Sequence, residues 1–268
     1  MTSIVRALIY RVNWGACVDY EKAPAVHVET GSFSLDLRQH ELRAQLKEGS
    51  PSVQQARALV EDFLKAWELL IGLQHDPDDV RFVFEGAEVE DARVELEAGG
   101  YFKPLEAHVV ASASVSAVPH YSRPSYPAPP AAFAVSPDVG VMYLRYEGYK
   151  QGKEPLLAMA SFCLTVLLEG SGEQKGRKKQ KATERNYAID ESVLRKLGEI
   201  CANRGSPREA RKAPRGLVFT PLGRREEKWV VAAVKAMIQR AGEVAAELDR
   251  PRQQITMQDL PDLGKVGS

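Results

Sequence analysis

"PSVQQARALVEDFLKAWELLIGL", residues 51–73, decides the fold class. Val53, Ala56, Val60, Phe63, Trp67 and Leu70 recur at spacings of three and four, the period of one helical face. Gln54, Arg57, Glu61, Asp62 and Lys65 fall elsewhere on the wheel. Ser50 is placed to cap the helix, and Pro51 suits a first helical position, where its missing N–H is not needed. The stretch predicts a long amphipathic helix with Trp67 as a core anchor.

What surrounds it reads as strand. Residues 4–11 alternate, and "AVHVET" and "SFSLDLRQ", separated by Gly31, suggest a hairpin that "HELRAQLKE" extends. After the "DPDD" turn, residues 80–98 are rich in β-branched and aromatic residues, and Gly86 marks a hairpin or a bulge. Residues 106–118 alternate again. One long helix among strands predicts an α+β domain over 1–118: a mostly antiparallel sheet with the helix packed on it.

Residues 119–137, "PHYSRPSYPAPPAAFAVSP", hold six prolines, a density that excludes helix and central strand. A linker or surface arm is expected there. The remainder reads as a helical bundle over 138–250. Helices are predicted at 138–150, from Pro155 to Leu168, at 191–202 capped by Asp190, and at 226–249. "GSGEQKGRKKQK" (170–181) reads as a flexible basic loop. Residues 251–268 read as a loose tail in which "MQDLPDL" is a short docking segment.

The 268 residues are 44% hydrophobic and 27% charged, ordinary for a globular protein. Cys17, Cys163 and Cys201 are odd in number and far apart, which predicts reduced thiols and a cytoplasmic setting. No signal-peptide pattern opens the chain. Its most apolar run, 155–168, is too short for the ~20 residues of a membrane span, so no membrane partner is expected.

The neutral total hides an asymmetry. Residues 76–97 are acidic and 175–225 basic. Separation of this kind predicts a polyanion partner, an acidic protein partner, or pairing between the two regions. Glu85, Glu88, Glu90 and Asp91 are read as a solvated strand face rather than a metal site, since hard cations need oxygens converging from several segments. The five histidines lie at or before His120, none at metal-ligand spacing, and no nucleophile or phosphate-loop motif is present. No cofactor and no metal are expected. The nucleic-acid-binding candidates are Lys178, Lys179 and Lys181 in the basic run, then Arg204, Arg208, Arg211 and Lys212 at and after the end of the next helix. Tyr187 is the one aromatic among them, which points to phosphates rather than bases.

Residues 138–249, with a long apolar helix pair and Asn203-Arg204 closing the third helix, resemble the HEPN superfamily of helical RNases and RNA-associated proteins. In active members an arginine is followed four to six residues later by a histidine. Here "GSPREARK" follows Arg204, Glu209 to Arg211 fill that place, and the histidine is lacking. The resemblance implies a homodimer associated with RNA but not cutting it, in a bacterial stress or defence system. The competing expectations are a divergent metal-independent ribonuclease built on Arg204, Arg208 and Glu209, and a pure interaction module. "KATERNYAIDESVLRKLGEI" also resembles the two helices and turn of a helix-turn-helix.

Overall fold

The structure, a computed structural model, describes residues 3–91, 120–172, 176–205, 220–246 and 250–264. It divides into two units: Met1–Leu64 with Asp78–Pro129, and Lys65–Pro77 with Pro130–Ser268. The division falls inside the long helix α1 (Val53–Gln74).

The first unit is built on a five-stranded antiparallel sheet of order β3-β4-β5-β1-β6. Its strands are β1 (Ser3–Trp14), β3 (Val26–Glu29), β4 (Phe33–Arg38), β5 (Glu41–Ser50) and β6 (Val80–Asp91). Alternation decides the faces: Phe33, Leu35 and Leu37 of β4 and Leu42, Ala44 and Leu46 of β5 are buried, with polar residues between them. Gln39 and His40 turn the chain between these strands, Gln39 in the left-handed region at φ 48°. The Tyr126 hydroxyl donates to the Gln39 carbonyl at 2.7 Å and holds that turn. Two short strands, β2 (Val18–Asp19) and β7 (Tyr121–Ser122), pair in parallel beside the sheet.

Gly86 marks a bulge. Ile9 pairs with Gly86 and Tyr10 with Phe84, which leaves Glu85 as the extra residue. On the outer face Arg11 reaches Glu85 at 3.3 Å, Arg6 reaches Glu90 at 2.5 Å, and Arg43 on β5 reaches across β1 to Glu88. The acidic strand is therefore a solvated face answered by arginines of its neighbours. The expected strand at 106–118 and the end of the 80–98 reading lie outside the described residues.

Helix α1 starts two residues later than its sequence pattern suggests. Ser50 is still part of β5 and is buried, and the Ser52 hydroxyl accepts from Gln55 N at 3.2 Å instead. Early in the helix, burial follows one stripe through Ala56, Val60 and Leu64. Its last turns are buried more widely, at Trp67, Leu69, Ile71 and Leu73, and Leu69 and Leu73 join the core of the second unit.

That unit is helical: α2 (Pro137–Lys150), α3 (Leu156–Glu169), α4 (Gly176–Tyr187), α5 (Glu191–Asn203) and α6 (Arg224–Ala246). Ser136 and Asp190 cap α2 and α5 through their side chains, at 3.3 Å to Val139 N and 2.8 Å to Ser192 N. Helix α3 is apolar enough to sit centrally, with Met159, Cys163 and Leu167 buried against Trp229, Val230 and Val234 of α6.

The sequence reading is corrected at residues 176–181, which begin helix α4 rather than a loop. Charge density misleads there, because Ala182 and Thr183 bury one side of the helix and leave Lys178 and Lys181 to solvent. Residues 250–264 are also held down. Ile255 N donates to Ala188 O at 2.8 Å, and Asp190 N donates to Ile255 O at 2.9 Å. Thr256 and Asp259 form a capping box, Leu260 is buried, and Met257 and Leu263 pack on the core. The "MQDLPDL" segment thus docks on its own chain.

Candidate nucleic-acid interface

Met237, Arg240, Ala241 and Val244 of α6 stand at core spacing, so the pattern puts a guanidinium where an apolar residue belongs. Arg240 is indeed buried, 7% exposed. A buried cation is tolerated only when its donors are matched. Here Nη1 donates to the carbonyls of Tyr187 (3.0 Å) and Ala188 (3.2 Å), Nη2 to that of Gln253 (2.8 Å), and Nε to Glu243 Oε2 (2.9 Å). One side chain so fastens the α4–α5 turn and the C-terminal segment to α6. Ala188 in that turn is left-handed, at φ 47°.

Beside this fastening lies a cleft of about 580 Å³ lined by Gly170, Arg185, Asn186, Tyr187, Ala188, Val244, Arg250, Pro251 and Arg252. Gly170 lies close to Tyr187: a Cβ there would stand 2.8 Å from the phenol oxygen, so the ring would have to shift. Burial pushes the Tyr187 phenol above its ordinary pKa, and the charge of Asp138 adds to the effect. Arg252 donates to the carbonyls of Glu243 (2.9 Å) and Arg250 (3.1 Å), which sets the course of the segment over α6. Among the described residues no carboxylate lines the cleft. Glu247 and Asp249, near in sequence, lie outside them.

Arg185 joins the cleft to a stripe. Lys178, Lys181 and Arg185 occupy positions i, i+3 and i+7 of α4, one helical face, and all three are exposed. Among the described residues none of them has a carboxylate partner. Lys179 points elsewhere: its Nζ is 2.5 Å from Glu169 Oε1 at the end of α3, and its side chain is 14% exposed.

The other candidates sit apart. Arg204 ends α5, and its Nε donates to Glu226 Oε1 at 2.8 Å. Glu226 also accepts from Gly223 N at 3.0 Å, as a residue in the first turn of α6 does when it caps the helix. Burial works to raise the Glu226 carboxyl, but Gly223 N–H and Arg204 outweigh it and hold its pKa below the usual value. A second cleft of about 330 Å³ lies here, lined by Lys196, Arg204, Gly223, Arg224, Arg225, Glu226 and Leu263. Gly205 N donates to Thr220 O at 3.1 Å, so the chain carrying Arg208, Arg211 and Lys212 leaves and returns at this point. Those three residues lie outside the described ones.

The two clefts are at opposite ends of α6. Arg225 lines one and Val244 the other, 19 residues apart, which at 1.5 Å per residue is about 28 Å. The single basic region of the sequence is thus divided in space. Arg185 belongs to the basic run of the sequence but not to the binding candidates, and Arg250 and Arg252 to neither, although the i, i+3, i+7 spacing of Lys178, Lys181 and Arg185 is visible once a helix is assumed.

The first unit has an open cleft of about 800 Å³ that includes Trp14, Asp19, His40 and His120. His40 stacks on Trp14 with ring centroids 3.8 Å apart, and His120 Nδ1 is 3.4 Å from Asp19 Oδ2. The Ser122 hydroxyl donates to Asp19 at 3.0 Å, not to the histidine, so the three do not form a nucleophile–base relay. Among the described residues no group of three or more His, Cys, Asp or Glu side chains is placed to hold a metal ion. No described helix is long and apolar enough to cross a membrane.

Compared with protein-family models, with curated proteins and with solved structures, the chain matches none.

Proposed function

We propose that the helical unit binds polyanions, RNA before DNA, through phosphate contacts and without cutting them. One observation carries the reading: Lys178, Lys181 and Arg185 form an exposed stripe, without carboxylate partners among the described residues, that leads into an arginine-lined cleft. Cations that their own protein leaves unneutralised release counterions from a phosphate backbone on contact. Arg204 stands beside a second cleft at the far end of α6, and Arg208, Arg211 and Lys212 follow it in the sequence, outside the described residues.

The preference for RNA, the pairing of the helical unit as a homodimer and a place in bacterial stress or defence rest on the HEPN resemblance. Binding without cleavage rests on the residues. No histidine follows His120 in the sequence, and the Arg204 guanidinium already serves Glu226. An interaction module that joins the acidic strand of one copy to the basic helix of another is disfavoured, because Glu85, Glu88 and Glu90 are each met by an arginine of their own sheet.

The test is fluorescence anisotropy with labelled RNA and DNA oligomers over a range of salt. Affinity that falls steeply with salt supports the reading. No binding at low salt overturns it, and metal-free cleavage lost in Arg204→Ala moves the protein to the enzyme class.

A further inference from the structure

We infer that docking of residues 250–264 regulates the α4 stripe: the segment holds Glu184 away from Lys181 and steadies the end of α4, so the polyanion surface is complete only with the segment in place. This rests on the polyanion reading and deepens it. Glu184 is the one carboxylate of α4, three residues after Lys181 and next to Arg185. Residues three apart on a helix are neighbours, close enough for an ion pair. A free Glu184 would neutralise the middle cation of the stripe. Instead, Gln254 Nε2 donates to Glu184 Oε1 at 2.8 Å, and the same nitrogen lies 3.5 Å from Asp190 Oδ2. A neutral amide engages the carboxylate without placing a charge of its own beside the stripe.

The segment also supports the helix that carries the cations. Helix α4 has 12 residues, about the length at which an isolated helix is marginal, and among its described residues it buries Ala182 and Thr183 alone outright. A helix leaves its last carbonyls without internal partners. Arg240 takes the Tyr187 carbonyl with one arm of its guanidinium and that of Gln253, in the segment, with the other. Ile255 N takes the Ala188 carbonyl, and Ile255 O accepts from Asp190 N. The segment itself rests on buried Leu260, with Ile255, Met257 and Leu263 packed on the core. A terminal segment held by so few anchors opens at lower cost than the bundle beneath it. A ligand that binds better with the segment docked must favour docking by the same factor.

The experiment uses the full chain and reads two quantities: RNA affinity by anisotropy over a range of salt, and docking by hydrogen exchange at the Ile255 amide. Gln254→Ala, at an exposed position, should weaken binding about threefold and lower the salt slope by about 0.7, the weight of one phosphate contact on a single strand. Adding Glu184→Gln should restore both, while Glu184→Gln alone should change little. A merely structural Gln254 would give no such rescue, and an equal effect of Glu184→Gln in both backgrounds overturns the inference, as that is net charge acting alone. Leu260→Asp should speed exchange at Ile255 and weaken RNA binding about tenfold. Saturating RNA should slow Ile255 exchange in the wild type by the same factor. If Leu260→Asp fails to fold, the Gln254 and Glu184 variants decide. A Leu260→Asp protein that has lost protection at Ile255, keeps it in α3 and binds RNA like the wild type overturns the inference and leaves the backbone reading standing. Wild-type affinity and slope in Gln254→Ala do the same. Failure of the wild type to bind RNA or DNA at low salt overturns both.

Discussion

Arg204 Nε lies 2.8 Å from Glu226 Oε1, so the arginine that the sequence marks for nucleic acid is engaged within its own fold. Glu226 also caps α6 through Gly223 N, and it is the shared anchor of the end of α5 and the start of α6. Glu226→Gln should therefore act in two directions. Stability should fall by about 1 kcal/mol, the usual weight of a helix cap. Affinity for RNA should rise, since Arg204 is released. The pH dependence follows from the depressed carboxyl. The contribution of Glu226 is present above its unfolded pKa and is lost as pH falls through the lower, folded value. Acid unfolding curves of wild type and Glu226→Gln should converge on the acid side and separate toward neutral pH. Parallel curves across the whole range would show that the ion pair contributes nothing.

Arg240 is the side chain whose loss should be felt most. Arg240→Ala strands three backbone carbonyls and Glu243 at once, and breaking a buried charged network by removing one partner costs about 3–5 kcal/mol. The C-terminal segment should come loose first, because Gln253 O loses its donor and Ile255 no longer has a fixed turn to pair with. Hydrogen exchange should show faster exchange at the Ile255 amide than in α3. If the variant melts at the wild-type temperature, Arg240 is not the fastening described.

Trp67 is fully buried in the last turns of α1. Trp67→Ala should cost about 3–5 kcal/mol, as removal of a large packed aromatic does. Thermal unfolding monitored by circular dichroism tests this. An unchanged transition would mean that the ring is not part of a close-packed core.

The α+β class was legible because period-two and period-3.6 runs alternate cleanly on either side of residues 51–73. Helix α4 was not legible. Its apolar content is slight, and among its described residues Ala182 and Thr183 alone are buried outright, so charge outweighed periodicity. The docking of residues 250–264 was half legible: "MQDLPDL" carries the apolar spacing, but nothing nearby in sequence says that Arg240 receives the chain before it. At the candidate site the type of residue was readable and its direction was not. Lys179 sits in the same run as Lys178 and Lys181, yet helical geometry turns it toward Glu169.

That difference in direction gives the sharpest prediction about binding. If the stripe contacts phosphates, each cation removed should lower the slope of log affinity against log salt by about 0.7 for a single strand. Replacing Lys178, Lys181 and Arg185 together with Gln should flatten the slope by about 2. Gln keeps helix propensity close to that of Lys and Arg, so α4 should persist and circular dichroism should not change. Lys179→Gln serves as the internal control. It has the same charge change in the same helix, but its ammonium is held by Glu169 and mostly covered. Its slope should match wild type, while stability falls by less than ~1 kcal/mol for the loss of one ion pair. If all four substitutions shift the slope equally, binding depends on net charge alone and the stripe has no special standing. If Lys179→Gln shifts it and the triple variant does not, phosphate meets the molecule near the end of α3, and the face assigned to α4 is the wrong one.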